Sequence, residues 1–210
     1  MTKTTLKSKK FIPYLICYLA YASIYIARLN LSMASPALKD ANVLTTVQIG
    51  YLGTAFSIVY ACGRLYNGFL ADHVQPRKMI FIGLLICGAA NIGFGLFPPF
   101  IGILLLWCAN SFAQSMLWSS VLKTVNHLYK GDEALTNRLS TIVSSVATGN
   151  ILGILVSMFL ISVGGPRWAF VIPGAITLLM AALVFIFLPK DVIMGDSQTK
   201  KSANPLPRML

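Results

Sequence analysis

Six apolar segments, each long enough to cross a lipid bilayer, follow one another along this chain with only short polar links between them. A helix needs about 20 residues to span the hydrocarbon core. The segments occupy residues 11–38, 49–70, 79–97, 101–122, 140–163 and 168–188. Because the links are too short to hold a soluble domain, the pattern predicts an all-α membrane protein, a bundle of six transmembrane helices.

The overall charge agrees with this interpretation. The chain has 210 residues, of which 56% are hydrophobic and only 11% are charged, and its formal net charge is +11. In a soluble protein such an excess of cations would suggest a nucleic-acid partner. Here the cations lie between apolar segments, so we expect the partner to be the lipid bilayer and not nucleic acid.

The distribution of lysine and arginine predicts the orientation in the membrane. With six spans, both termini and alternate links share one side, and that side receives 13 cations against 2 on the other. Cytoplasmic links are enriched in Lys and Arg, so both termini should be cytoplasmic. The predicted division is a basic N-terminus at 1–10, the bundle at 11–188 and a flexible polar segment at 189–210. A cleavable signal ending near Ala22 is the alternative for the N-terminus.

A polar turn separates the second and third segments. Asp72 follows an apolar helix that ends near Gly68, and Pro76 precedes two cations that begin at Arg77. Proline disfavours helix at the residue before it, so residues 68–78 should form a hairpin on the cytoplasmic side. An ordinary basic loop is the alternative interpretation.

Arg28 is the most informative single residue, because it lies near the middle of the first segment. Arginine stays protonated in proteins, and an arginine at the centre of a membrane helix costs about 2.5–3.5 kcal/mol on insertion scales. It should therefore face a wet cavity or a partner. Tyr21 and Tyr25 share its helical face and are candidates to bind the same ligand. A structural arginine that donates to carbonyl groups of a neighbouring helix is the alternative.

A second arginine and the fourth segment extend this candidate site. Arg64 follows Tyr60 by one helical turn, which repeats the pairing of tyrosine with arginine. Snorkelling of the long Arg64 side chain to the interface is the alternative. Gln114 and Trp118 offer an amide and an indole N–H to a polar ligand. Packing of Trp118 between helices explains its position equally well.

All six acidic residues lie outside the apolar segments. Neither arginine therefore has a carboxylate partner on the predicted spans, and two uncompensated cations in a low-dielectric cavity form a site for an anion. The planar guanidinium matches the oxygen atoms of phosphate. Proton-coupled carriers use a membrane carboxylate or histidine as a relay, so exchange of one anion for another is the simpler mechanism.

Patterns typical of enzymes and metal proteins are not found in the sequence. The histidines, His73 and His127, and the four cysteines lack the spacing of a metal site. No nucleophile–base pattern or phosphate-binding glycine loop is evident. We therefore expect no catalytic residue, no metal and no cofactor, and we expect that the chain is not an enzyme.

The polar turn resembles the loop between helices two and three in the major facilitator superfamily of transporters. The matching positions are Gly68, Leu70, Ala71, Asp72 and Arg77. His73 and Gln75 stand where that pattern has a basic residue and a glycine. Proline followed by arginine, as in Pro76 and Arg77, is more typical of one branch, the organophosphate:phosphate antiporters.

Longer stretches resemble the same branch. Residues 25–30 are similar to its first helix, whose arginine, here Arg28, binds substrate phosphate. Residues 112–118 are similar to its fourth helix and residues 167–174 to the start of its sixth. Arg64 occupies the position of a second basic residue near the site. Some members carry a histidine in the fifth helix, and this sequence has none there.

The resemblance implies a fold and a function. The family has twelve spans in two six-helix halves, and this chain resembles the N-terminal half, a 3+3 inverted repeat, with 189–210 as the start of the central loop. The implied function is membrane transport of an organic phosphate, such as glycerol 3-phosphate or a hexose phosphate, in exchange for inorganic phosphate. A C-terminal half or a second chain would be the missing partner, and Asp72 would act as a gate latch.

Short loops and the lack of a recognisable targeting segment favour a bacterial inner membrane, that is, the plasma membrane, over an organelle, and we expect multiple passes through it. Two other functions remain open at this stage. One is a sugar-phosphate membrane sensor of the same family, which binds its ligand and signals. The other is a major facilitator carrier for a different solute, although no carboxylate on the predicted spans is available for a cationic drug.

Overall fold

The computed structural model describes residues 3–189 of the chain. Over this range it contains seven α-helices and no strand. Their bounds are α1 Lys3–Asp40, α2 Thr46–His73, α3 Pro76–Gly95, α4 Phe100–Ser115, α5 Leu117–Leu128, α6 Leu135–Gly164 and α7 Trp168–Phe187. Residues 190–210 lie outside the described residues, and with them nearly all of the predicted flexible segment.

The fourth predicted span is longer than expected and consists of two helices. The sequence indicated 101–122, whereas α4 and α5 together run over Phe100–Leu128. They meet at Met116, which keeps a helical backbone while its N–H bonds to the carbonyl group of Ala113, as in a tighter 3₁₀ turn. The two helices therefore form one kinked span, and the described chain has six helical units of membrane length.

Five of these units are long and apolar enough to cross a bilayer by length and composition within the described residues: Lys10–Asp40, Pro76–Gly95, Phe100–Leu128, Leu135–Gly164 and Trp168–Phe187. The remaining unit, α2, has 28 residues and thus sufficient length. It is more polar, because Arg64, Asn67 and three tyrosines lie on it. Helix α2 is therefore the one unit of membrane length in the described chain that falls short of the apolar character of the other five.

Helix boundaries follow local sequence signals. At the start of α2, the Thr45 hydroxyl accepts from the Gln48 N–H, and the Gln48 side chain accepts from the Thr45 N–H, which makes a capping box. Pro76 occupies the first turn of α3, where it has no backbone N–H to leave unpaired. Gly165 ends α6 with φ of 81°, a conformation that glycine adopts without strain.

Close approach between helices depends on small residues. A Cβ atom added to Gly149 on α6 would lie 2.6 Å from the carbonyl oxygen of Ala22 on α1, and one added to Gly153 would lie 3.0 Å from that of Tyr25. The backbones of α1 and α6 are thus almost in contact. By contrast, Gly53 on α2 faces open space, with nothing within 4 Å of an added Cβ.

Helix α2 is fastened to the span formed by α4 and α5. The Ser111 hydroxyl donates to the carbonyl oxygen of Phe56 at 2.6 Å. One helical turn further along α4, the Asn67 amide donates to the Ser115 hydroxyl at 2.7 Å. These two hydrogen bonds connect α2 to α4 in addition to the packing of their side chains.

The ends of α1, α5 and α6 meet at one end of the bundle. The Tyr14 hydroxyl donates to the carbonyl oxygen of Arg138 at 3.2 Å, and the rings of Tyr14 and Tyr129 cross edge to face at 5.7 Å. The Lys10 ammonium and the Arg138 guanidinium both lie over the Tyr129 ring, at 5.6 and 5.4 Å. Cations from two helices thus gather at this end.

We expect Gly149→Ala to reduce the free energy of unfolding by about 1–3 kcal/mol, the usual cost of overpacking. The new methyl group would collide with the backbone of α1, which cannot move aside as a side chain can. The matched control is Gly53→Ala, which adds the same group in open space. Unfolding in detergent, followed by circular dichroism, should separate the two variants. Equal stability of both would contradict the close approach of α1 and α6.

Candidate functional site

Arg28 lies on α1 at half depth in the bundle and faces α2 and α4. Its Nε–H donates to the side-chain oxygen Oε1 of Gln114 at 2.8 Å. Gln114 is itself fully buried on α4. The guanidinium is thus held by a neutral acceptor, and its positive charge is not cancelled.

Three aromatic rings surround the Arg28 guanidinium, and we call them the aromatic cage. The Cζ atom lies 5.2 Å from the ring centroid of Tyr25, 5.1 Å from that of Phe56 and 4.4 Å from that of Tyr60. Aromatic faces attract cations through their quadrupole, more strongly where water is excluded. The cage therefore stabilises the cation without supplying a formal negative charge.

One donor of Arg28 has no partner. Its Nη2 atom is buried and makes no hydrogen bond within the described residues. A buried donor without an acceptor costs roughly 1–3 kcal/mol, and more when it is charged. An anion that accepts from Nη2 would remove this cost and at the same time neutralise the charge.

The other predicted site residues connect to Arg28 through ring contacts. Arg64 is exposed, and its Cζ atom lies 5.7 Å from the ring of Tyr60, so the same ring contacts both arginines. The ring of Tyr21 lies 5.6 Å from that of Tyr25 and 5.0 Å from that of Trp118. The structure thus brings all seven predicted residues into one connected set.

The sequence analysis missed several residues that shape this site. Phe56 belongs to the cage, although nothing in its surroundings in the sequence distinguishes it from other apolar residues. Behind Arg28, four buried side-chain amides form a hydrogen-bonded row, the amide ladder, which consists of Asn30, Asn91, Asn110 and Gln114. The sequence could have indicated the three asparagines, because an asparagine inside an apolar segment is costly to bury unless its side chain is hydrogen-bonded.

The polar hairpin lies away from Arg28, at the end of α2. The Lys123 ammonium on α5 donates both to the Asp72 carboxylate and, at 2.8 Å, to the carbonyl oxygen of Ala71. This hydrogen bond and the lysine charge lower the pKa of Asp72 from its usual 3.8. Gly68, the first residue of the motif, has open space where a side chain would be.

Arg77 is the third residue of the hairpin motif, and it contacts a different helix. Its guanidinium donates to the carbonyl oxygen of Phe185 near the end of α7 and lies 5.0 Å from the ring of the same residue. The last carbonyl groups of a helix lack partners within the helix. Arg77 therefore caps α7, while Asp72 connects α2 to α5.

Comparison with known proteins decides the family. A family model described as the Major Facilitator Superfamily matches residues 17–209. The chain belongs to the major facilitator superfamily. A crystal structure described as a bacterial homolog of the human lysosomal transporter Spinster, inward-facing and unoccupied, superposes with a TM-score of 0.71 at 18% identity. The superposition covers 93% of this chain and 45% of the Spinster homolog. The predicted all-helical membrane fold is therefore confirmed.

Curated relatives of this major facilitator chain include transporters of phosphate esters by name. A probable hexose phosphate transport protein of Chlamydia trachomatis is 28% identical over 80% of this chain and 36% of its own length. A glycerol-3-phosphate transporter of Haemophilus influenzae is 28% identical over 80% of this chain and 32% of its own. The chain thus spans about a third of the length of these relatives.

We expect Lys123→Met to raise the pKa of Asp72 towards 3.8, because the variant lacks both the hydrogen bond and the charge. The pKa of Asp72 is lower in the folded state than in the unfolded chain. The ion pair therefore contributes fully to the free energy of unfolding when the pH is above the pKa of the unfolded chain. Between roughly pH 5 and 8 that contribution should stay constant. It is lost as the pH falls through the pKa of Asp72 in the folded state. The measurement is a ¹³C NMR titration of the Asp72 carboxyl group.

The control for this titration is Lys78→Met, which removes a cation of the same hairpin and keeps the hydrogen bond between Lys123 and Asp72. It should leave the titration of Asp72 unchanged. An identical Asp72 titration in Lys123→Met and in the unaltered chain would disprove the ion pair.

Proposed function

We propose that this chain is the anion-binding half of a secondary carrier for an organic phosphate. The observation that carries the proposal is the buried Nη2 atom of Arg28, a charged donor without an acceptor in the described residues. The helix bundle, the aromatic cage and the amide ladder hold this cation in place without neutralising its charge. The solute would be bound through hydrogen bonds and charge and released without chemical change.

The chemistry of the site favours a phosphate group over a carboxylic acid or a cation. Arginine presents parallel N–H donors that match two oxygen atoms of a phosphate. Arg64 adds a second, exposed cation that also contacts the Tyr60 ring. A dianion held near two cations in a low-dielectric site is stabilised much more than a monoanion. The rings of Tyr21 and Trp118 would then contact the organic part of the solute.

Exchange is the transport mode that these residues favour. The acidic residues of the described chain lie at helix ends or in links: Asp40, Asp72, Asp132 and Glu133. No membrane carboxylate is therefore available in this part of the chain to relay protons. Inorganic phosphate and a phosphate ester such as glycerol 3-phosphate or a hexose phosphate share the group that Arg28 recognises. Each would thus compete for the same cation, which supports exchange of one for the other.

Alternating access requires a second six-helix bundle, which would close over Arg28 from the open side. We propose a C-terminal half or a second chain in that role. We place the bundle in a bacterial inner membrane with both termini cytoplasmic, since Lys10 and Arg138, which gather at one end of the bundle, then face the cytoplasm. The hairpin of Gly68, Asp72 and Arg77 would act there as a gate latch that fixes neighbouring helix ends.

The first test is equilibrium binding to this chain in lipid nanodiscs, measured by titration calorimetry. Inorganic phosphate, glycerol 3-phosphate and glucose 6-phosphate should bind, whereas glycerol and glucose should not. Arg28→Gln should weaken phosphate binding by roughly 10–100-fold, the worth of hydrogen bonds to a charged group. Arg167→Gln, which removes an exposed arginine at the start of α7, is the control and should bind normally.

A second test follows exchange in proteoliposomes loaded with unlabelled phosphate. The chain together with a matching second half should take up labelled phosphate, and Arg28→Lys should reduce the rate, because an ammonium cannot bind two oxygen atoms in parallel. Unchanged exchange in Arg28→Lys would contradict the role of Arg28. Exchange by this chain without a second half would show instead that two copies can form the carrier.

A further inference from the structure

The amide ladder runs from α1 through α3 to α4 and ends at the arginine. The Asn30 amide donates to Asn91 Oδ1 at 2.7 Å, and the Asn91 amide donates to Asn110 Oδ1 at 3.2 Å. From the other side, Gln114 Nε2 donates to the same Asn110 oxygen at 3.1 Å. All four side chains are fully buried, so water does not compete for these hydrogen bonds.

The direction of every hydrogen bond in the ladder follows from Arg28. A guanidinium can only donate, so Gln114 must turn its oxygen towards Arg28 Nε. Its NH₂ group then points the other way and needs an acceptor, which Asn110 Oδ1 supplies. The Asn110 NH₂ group is left to donate to the carbonyl oxygen of Ala27, at 3.4 Å.

Asn110 is the residue on which this order depends. Its oxygen accepts from Asn91, from Gln114 and, at 2.9 Å, from the Cys87 thiol. Without that oxygen the Gln114 NH₂ group would be buried without its closest acceptor, and the amide would gain little from its present orientation. A rotated Gln114 would present its NH₂ group to the Arg28 N–H, which places two donors face to face.

A neutral acceptor is important for an anion site. A carboxylate at position 114 would hold Arg28 in either orientation, but it would also cancel the charge that attracts a phosphate group. An amide holds the guanidinium without a net charge, provided that its orientation is fixed. The ladder fixes it.

We propose that Asn110 is a positioning residue for anion binding. It orients the Gln114 amide, and Gln114 in turn holds the Arg28 guanidinium with Nη2 unpaired among the described residues. Asn91 and Asn30 extend the same order to α3 and α1. This inference rests on the proposed function, because it concerns how the proposed phosphate site is kept ready to bind.

The first experiment needs no ligand. In selectively ¹⁵N-labelled protein in nanodiscs, the Arg28 Nε–H should exchange slowly with solvent, because it is hydrogen-bonded and shielded. Asn110→Leu, whose side chain has the same branching and no acceptor, should raise that exchange rate by roughly tenfold, the size of coupling measured between contacting residues. An unchanged rate would overturn the proposal.

The control is the same substitution at a buried asparagine outside the ladder. Asn67 on α2 is fully buried and donates to Ser115 instead of to a ladder residue. Asn67→Leu should destabilise the bundle as much as Asn110→Leu, yet leave the Arg28 Nε–H exchange rate unchanged. Equal acceleration in both variants would mean a general loosening of the bundle and would also overturn the proposal.

The second experiment is a double-mutant cycle on the dissociation constant for inorganic phosphate. Asn110→Leu should weaken binding by roughly tenfold in the unaltered chain and have no further effect in Gln114→Ala, where no amide remains to be oriented. Losses that multiply independently would show that Asn110 does not act through Gln114. If the unaltered chain binds no phosphate while its Nε–H responds as expected, the proposed function and the role of Asn110 in anion binding both fail, and only the orientation of Gln114 by Asn110 stands.

Discussion

A permanent cation inside a membrane bundle is the constraint on which the rest of this structure depends. Arg28 cannot lose its proton, and no carboxylate of the described spans is there to balance it. The chain stabilises the cation with groups that carry no net charge: ring faces from Tyr25, Phe56 and Tyr60, and the amide oxygen of Gln114. Stabilisation without neutralisation is the physical basis of the anion site that we propose.

Packing far from the arginine makes this arrangement possible. Gly149 lets α6 approach α1 beside the turn that carries Tyr25. Buried amides on α1, α3 and α4 then satisfy one another, and one of them reaches the guanidinium. In an apolar interior each such group would be costly alone, so the polar residues act as one fully connected network. The glycines, through close packing, and the amides, through hydrogen bonds, therefore both support the position of Arg28.

The sequence was sufficient to predict what depends on spacing along one helix. Apolar length predicted the spans, and helical periodicity placed Tyr21 and Tyr25 near Arg28. It was insufficient where the partner comes from another helix. Lys123, which binds Asp72, and Asn110 have no relation in sequence to the groups they contact. The extension of the fourth span to residue 128 was also missed, since the helix continues through polar residues such as Asn126 and His127 that remain exposed.

The attachment of α2 to α4 and α5 has a mechanical consequence. Hydrogen bonds from Ser111 and Asn67, together with the ion pair of Asp72, fix α2 to that span at several points along its length. Arg28 on α1 contacts both of these elements, because the cage rings Phe56 and Tyr60 belong to α2 and its acceptor Gln114 belongs to α4. The attachment of α2 to α4 therefore holds the two rings and the amide at a fixed spacing around the guanidinium.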